Sequence, residues 1–371
     1  MQSESKRDTI VVIGGANLEY IIKSDRPIEY GGKNSVEIEE LYGGSGVNYT
    51  LRLLHAGARV YPILLAGDDH AGNQIRDAIL SASAADDPDI RAFIESPDFF
   101  VPHAVTPRST IIIEGSRRTI LTQDRNRHNR FRSHLPRRID RTEDVGSLII
   151  GHIHSDKPGH NEHAEDLSTI FAIERFRDQA ALIYANFGAS QIAHGYDFWR
   201  AYLPAIDILQ LNINEIKRLF AEEGQSPSLE KIVSMLRDLD ISAIITLDKF
   251  GAIGILRGHH ETLFMARPVD LGARFVDSTG AGDAFCAGMV SALHGKAHIT
   301  PDDFKEAMNL ARSWAVYACM SYGGANRCPD AETIAAFHES ISREHEVLLY
   351  SGERIRDIFS LIDITMELHE S

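Results

Sequence analysis

The chain has 371 residues, 43% of them hydrophobic and 25% charged, and a net charge of −15 at pH 7. The length admits one large domain or two ordinary ones, and the composition is that of a soluble globular protein rather than a disordered, collagenous or coiled-coil one. The acidic balance argues against a nucleic-acid backbone or an anionic membrane as partner. Three cysteines, Cys286, Cys319 and Cys328, are too few and too irregularly spaced for a disulfide framework or a zinc site. Met1–Asp8 is polar with no apolar signal region behind it, and runs such as Thr9–Ile13 fall far short of the ~20 residues of a membrane span. Reduced thiols and a cytoplasmic location are the expectation.

Along the chain, short β-branched runs alternate with longer amphipathic segments. Thr9–Ile13 predicts a buried strand, followed by Gly14-Gly15-Ala16-Asn17-Leu18-Glu19. Ile22–Leu41 is polar and breaks the rhythm. Gly46–Ala56 predicts a helix, Val60–Leu65 a strand, Gly67-Asp68-Asp69 a turn and Ala71–Ser81 a helix. Ser109–Thr122 predicts a hairpin whose arms, Thr110–Ile113 and Thr119–Thr122, flank the polar turn Glu114–Arg118. This hairpin and Ile22–Leu41 are candidates for a small sheet covering a site as a lid, or for structural edge strands.

Strands Leu148–Ile150, Ala181–Tyr184, Ile206–Leu211 and Ala243–Leu247 then alternate with helices Glu165–Gln179, Ile213–Glu223 and Leu229–Leu239. After Phe275 the pattern is helical, over Gly282–Leu293, Pro301–Met320, Ala331–Ser342 and Glu353–Leu361. Strands alternating with helices imply an α/β fold with a mostly parallel sheet. The expected organisation is one domain over residues 1–345, with lid segments near 22–41 and 109–122, and a C-terminal helical extension over 346–371.

The chemistry concentrates in Val276-Asp277-Ser278-Thr279-Gly280-Ala281-Gly282-Asp283-Ala284-Phe285. Small residues at 280–282 form a tight turn feeding a helix N-terminus, whose free N–H groups and dipole make an anion site. Asp283 falls in the first helical turn. A carboxylate beside an anion-binding turn suits phosphoryl transfer to an alcohol, the amides stabilising the moving group and the carboxylate taking the hydroxyl proton. A helix start also favours acids for structural reasons. A second cluster, Gly43-Gly44-Ser45-Gly46-Val47-Asn48, opens another helix and offers backbone approach plus an amide able to donate and accept. Asn17 and Glu19 lie at the carboxyl end of the first strand, where open α/β sheets bind ligands. Neither G-x-G-x-x-G nor G-x-x-x-x-G-K-[ST] occurs where it should, which disfavours a dinucleotide fold and a P-loop kinase.

These residues resemble the PfkB carbohydrate kinases of the ribokinase-like superfamily, from about Val11 to about Pro329. Asp277–Phe285 is similar to that family's signature D-T-x-G-A-G-D-x-F, and Gly43–Asn48 with Leu53, Gly57 and Gly67–Gly72 to its N-terminal signature. The resemblance implies Asp283 as catalytic base, the Gly280-Ala281-Gly282 turn as anion hole, and a sugar held by Asn17, Glu19, Gly43, Gly44 and Asn48. It implies ATP binding through Asn212 of an N-x-x-E motif and through Thr246, Asp248 and Gly251 of a T-x-G-x-x-G loop. Glu215 would handle magnesium indirectly, and Asp277 would contribute to a monovalent cation site (K+).

The fold implied is ribokinase-like: a central, mostly parallel sheet with helices on both faces, plus a small β lid that in some members forms a homodimer interface. The substrate class is a sugar or a nucleoside, and a non-catalytic ligand-binding relative is the alternative from another class. Three departures stand out: Glu19 where many members have aspartate, Ser45 where ribokinases often have lysine, and Asp248 in place of the loop's first glycine.

Two features lie outside these motifs. The arginine-rich stretch from Arg117 to Arg141 admits a phosphosugar site or a solvated insertion. His152, His154, His160 and His163 admit a metal site, or a pocket lining by His152 or His154.

Overall fold

A computed structural model of the chain describes residues 8–24, 26–83, 87–114, 117–123, 131–139, 142, 145–159, 164–222, 225, 227–342 and 346–370. The readings made above for Gly115 and Ser116, for much of the arginine-rich stretch, and for His160 and His163 lie outside the described residues.

Among the described residues thirteen strands follow in chain order: β1 (Thr9–Gly15), β2 (Asn17–Ser24), β3 (Glu37–Gly43), β4 (Arg59–Leu65), β5 (Arg108–Glu114), β6 (Arg117–Gln123), β7 (Val145–Ile150), β8 (Leu182–Asn186), β9 (Ile208–Asn212), β10 (Ser242–Thr246), β11 (Ala252–Ile255), β12 (Thr262–Ala266) and β13 (Leu348–Ser351). Nine form the main sheet in the order β13-β12-β11-β10-β9-β8-β7-β1-β4. From β10 to β4 the pairing is parallel, and β11, β12 and β13 join antiparallel. Every residue of β1 is buried, as a strand paired on both edges and covered on both faces requires. β4 is the edge strand, and its Pro62, which lacks an N–H, is tolerable there.

The chain leaves β1 for β4 on one side and later returns to β7 on the other. The sheet therefore has a topological switch point beside β1, where a ligand crevice forms at the carboxyl ends of the strands. Helix Ser45–His55 lies over this region, packed on β1 and β4 and against helix Ala281–Leu293. Its first ten residues are all buried, which is why its polar members Ser45, Asn48 and Arg52 face partners rather than solvent.

The lid is a separate four-stranded sheet, β3-β2-β5-β6, with β2 and β5 parallel and the outer pairs antiparallel. Its first arm differs from the 22–41 expected. β2 begins at Asn17, and the stretch 26–36 holds no strand. The motif Asn17-Leu18-Glu19 is thus already the lid's first strand rather than a loop after β1. The C-terminal extension also differs from a purely helical one. Leu348–Ser351 is β13, which pairs with β12 and extends the main sheet before helix Glu353–Glu370 begins. Its alternating half-buried and exposed residues are those of an edge strand, a pattern too short to register as periodicity.

Candidate active site

Gly280 adopts φ +74°, the left-handed conformation that glycine takes without penalty. It turns the chain into helix Ala281–Leu293 and puts Asp283 in the first turn, where the helix leaves amides without carbonyl partners. The Ala281 N–H, one of the three donors expected of the anion hole, is engaged by the Ser278 carbonyl at 3.1 Å. Gln210 of β9 donates from Nε2 to the Gly282 carbonyl at 2.8 Å, and its own Oε1 accepts from the Tyr184 hydroxyl at 2.6 Å. The turn is thereby pinned to the strands beneath it by two buried polar side chains that sequence reasoning missed.

Asp283 meets the substrate-side motif directly. Asn48 donates from Nδ2 to Asp283 Oδ2 at 2.6 Å, while Asn48 Oδ1 is buried without a partner among the described residues. Tyr49 beside it is fully buried. Burial, reinforced by the Asp283 charge, pushes its phenol well above the ordinary value. The same two causes raise the Cys286 thiol. A hydroxyl-bearing ligand at this point would find an acceptor on Asn48 and a carboxylate on Asp283.

The remaining substrate candidates are linked to this pair through backbone. Gly44 caps helix Ser45–His55, and its carbonyl accepts from Asn48 N at 3.0 Å. Gly43 pairs with Asn17 across β2 and β3. The Glu19 side chain lies over Gly43 so closely that a methyl there would sit 2.6 Å from its Cγ, so the longer acid is accommodated by the space that glycine leaves. Asn17 donates to Ser109 Oγ of β5 at 2.9 Å, which adds a lid hydroxyl that the motifs did not indicate. Ser45 does not face the ligand side. Its Oγ accepts from His152 N at 2.8 Å and fastens the helix to the end of β7. The His152 ring is bonded to Asn186 Oδ1 at 2.8 Å. Among the described residues no three His, Cys, Asp or Glu side chains converge to hold a metal ion.

The nucleotide candidates gather at the ends of adjacent strands. Asn212 ends β9 and Thr246 ends β10, and the two are register partners. Asn212 and Glu215 form a reciprocal cap: Glu215 N donates to Asn212 Oδ1 at 2.8 Å and Asn212 N donates to Glu215 Oε2 at 2.9 Å. Asp248 takes φ +53° and Gly251 φ +95°, so the loop keeps a turn suited to glycine even with an aspartate in it. Asp248 and Asp277 both act on Cys319, whose thiol is pushed up to about 11, chiefly by burial. The Asp277 carboxylate accepts from Thr279 N at 3.1 Å and Gly323 N at 3.3 Å, tying the Gly280 turn to the segment 321–327. That segment closes over the turn: a methyl on Gly280 would sit 2.5 Å from Gly324 Cα. Lys23 of the lid stands 3.9 Å over the Tyr322 ring, so the same segment also touches the lid.

Of the arginine-rich stretch, Arg132, Arg137 and Arg138 lie in helix Phe131–Ile139, where Arg137 is exposed. Arg138 is buried and donates to the Leu64 carbonyl at 3.1 Å, and Arg132 stacks 3.7 Å from the Phe171 ring. Both serve packing.

The family model of the pfkB family carbohydrate kinases matches residues 95–331. The chain belongs to that family. This pfkB chain is similar to the ribokinase of Giardia lamblia (16% identity, 91% of this chain and 99% of that one, TM-score 0.68). It is also similar to the ribokinase of Arabidopsis thaliana solved with ribose and ATP (18% identity, 90% and 99%, TM-score 0.62). A third likeness is to the nucleoside kinase of Burkholderia thailandensis solved with inosine (15% identity, 91% and 99%, TM-score 0.65). At these identities the likeness is one of fold. In sequence, the chain is 27% identical over 145 residues to an ATP-dependent 6-phosphofructokinase of Thermoanaerobacterium thermosaccharolyticum, a match spanning 39% of this chain and 41% of that protein's length. Among the described residues no helix of this pfkB chain is long and apolar enough to cross a membrane.

Proposed function

We propose that the protein transfers the γ-phosphoryl group of ATP to a hydroxyl of a sugar, with Asp283 as general base. The observation that carries this reading is the 2.6 Å bond between Asn48 and Asp283, which joins the hydroxyl-binding motif to the carboxylate of the anion turn. Asn48 bonds Oδ2, and the acceptor's proton is assigned to Oδ1. As the acceptor oxygen bonds to the γ-phosphorus, the bond from that phosphorus to the β–γ bridging oxygen breaks, ADP leaves, and the acceptor's proton passes to Asp283 Oδ1. The Gly282 and Asp283 amides and the helix dipole face the charge on the group in transit. Asn17, Glu19, Gly43 and Gly44 hold the other hydroxyls, and the lid keeps water from competing.

Glu215 has one oxygen engaged by its cap, and its carboxylate would hold magnesium indirectly, through the waters that this ion keeps. Magnesium there would neutralise phosphate charge. Asn212, Thr246, Asp248 and Gly251 would position the nucleotide. Asp277 accepts two amides beside the turn, and its carboxylate charge would suit a monovalent cation there.

A nucleoside acceptor is the second reading, since the nucleoside kinase solved with inosine has this fold. A phosphosugar acceptor is a third reading, supported by the sequence match to an ATP-dependent 6-phosphofructokinase, while Arg132 and Arg138 themselves are engaged in packing. The test is Mg-ATP-dependent ADP release across free sugars, nucleosides and phosphosugars. Asp283→Asn is expected to fold normally and bind ATP but lose about 10²- to 10⁴-fold in turnover. Turnover near wild type in that variant would refute the assignment.

A further inference from the structure

Arg52 lies one helical turn beyond Asn48 and is only 1% exposed. Its Nη2 donates to the Gly324 carbonyl, and its Nε and Nη1 have no partner among the described residues. A buried guanidinium whose one described bond is to a neutral carbonyl is an expensive way to fill space, because the charge loses its water and gains only a carboxylate acting without a hydrogen bond to it, that of Asp283. An unbranched apolar side chain of similar length would pack the same volume without that penalty. Burial holds the Arg52 guanidinium below its ordinary value, while Cys328, Asp283 and Cys319 act in the opposite sense.

What Arg52 holds is informative. Gly324 is the surface on which the Asn48 amide rests: a methyl there would lie 2.6 Å from Asn48 Oδ1 and 2.7 Å from Cγ. Gly324 is also the backbone that closes over Gly280 of the catalytic turn, and its neighbour Gly323 is bonded to Asp277. One carbonyl, gripped from inside the protein, therefore sits behind both the Asn48–Asp283 pair and the anion turn.

We propose that Arg52 is a positioning residue of the phosphoryl-transfer site: by holding the Gly324 carbonyl it fixes the surface under the Asn48 amide, and through Asn48 the carboxylate of Asp283. The effect on catalysis rests on the reading of Asp283 as base. The grip on the 321–327 segment does not.

The experiment uses the full chain as wild type, Arg52→Met, Arg52→Lys and Asp283→Asn, with three readouts: thermal midpoint, amide hydrogen exchange of peptides covering 320–328, and kcat and KM with Mg-ATP and the acceptor turned over by wild type. Arg52→Met is expected to unfold at the same temperature as wild type or higher. Its 320–328 peptides should exchange several-fold faster, and its kcat should fall roughly 10- to 100-fold with both KM values within about twofold. Arg52→Lys, which keeps a donor, is expected to recover most of the exchange protection and of kcat. Wild-type exchange and wild-type kcat in Arg52→Met would overturn the proposal. So would a loss that simply follows a lowered thermal midpoint, or a lysine variant no better than methionine. Exchange is measured without substrate, so it decides the grip on Gly324 whatever the acceptor is. Retained turnover in Asp283→Asn would instead refute the base assignment and leave the exchange result standing.

Discussion

Gly324→Ala adds a single methyl at the point where the 321–327 segment meets Asn48. The methyl would lie 2.6 Å from Oδ1 and 2.7 Å from Cγ, where ordinary contact begins at 3.4 Å. The amide must therefore retreat by about 1 Å, and it has nowhere to go that keeps its bond, because the methyl crowds Nδ2 as well. From 2.6 Å, a shift of that size carries Asn48 Nδ2 out of hydrogen-bond range of Asp283 Oδ2. If the backbone yields instead, Gly324 moves off Arg52 and the same pair loses its floor. A hydrogen bond to a charged group contributes about 1.5–3 kcal/mol, equivalent to roughly 10- to 150-fold in rate if it is needed only at the transition state. Steady-state kinetics with saturating Mg-ATP would show the loss in kcat, with the thermal midpoint lowered only slightly. A kcat within threefold of wild type, with the fold intact, would refute the claim that Asn48 sets the position of Asp283.

Asp248→Gly is expected to do two things at once. It relieves a non-glycine residue at φ +53°, which stabilises the chain by up to ~1 kcal/mol, and it removes a carboxylate from the proposed nucleotide loop, which lowers KM for ATP several-fold. An unchanged or raised KM would show that Asp248 makes a favourable contact with the nucleotide. Cys319, its thiol pushed up to about 11, should resist iodoacetamide at pH 8 in the native chain, because the reactive thiolate is then scarce. Its alkylation should accelerate about tenfold per pH unit until near pH 11, followed by mass spectrometry of the peptide that contains it. A plateau by pH 9 would contradict the burial assigned to it.

Motif spacing singled out Asp283, Gly280 and Asn48 as candidates because each marks a local event, a turn or a helix start, that leaves a trace in neighbouring residues. The contact between Asn48 and Asp283 leaves no such trace, since the residues are 235 positions apart. Gln210 and Tyr184 read as ordinary members of buried strands, and only the fold shows that they fasten the Gly282 carbonyl. The segment 321–327 follows a helix and contains adjacent glycines, which in sequence signals nothing more than a loop. Arg52 is the least legible residue. An arginine in an amphipathic helix reads as solvent-facing, and it is buried here because this helix lies between the sheet and a second helix. Asp248 shows the reverse: it departs from the glycine expected at its position, yet aspartate is among the residues that tolerate the left-handed turn, so the loop survives the substitution.

The lid draws its two halves from separate excursions of the chain, joined by parallel pairing of β2 with β5. The bond from Asn17 to Ser109, on the proposed acceptor side, spans 92 residues. Pairings of such long sequence separation form slowly, because the intervening loop must be closed before any contact rewards it. The conformation of the turn that carries Asp283 is set within a single stretch, and Gln210 then pins it across 72 residues. A refolding chain should therefore assemble its anion turn early and its acceptor pocket late. Recovery of nucleotide binding ahead of acceptor binding would be the kinetic signature of a lid built from two distant pieces.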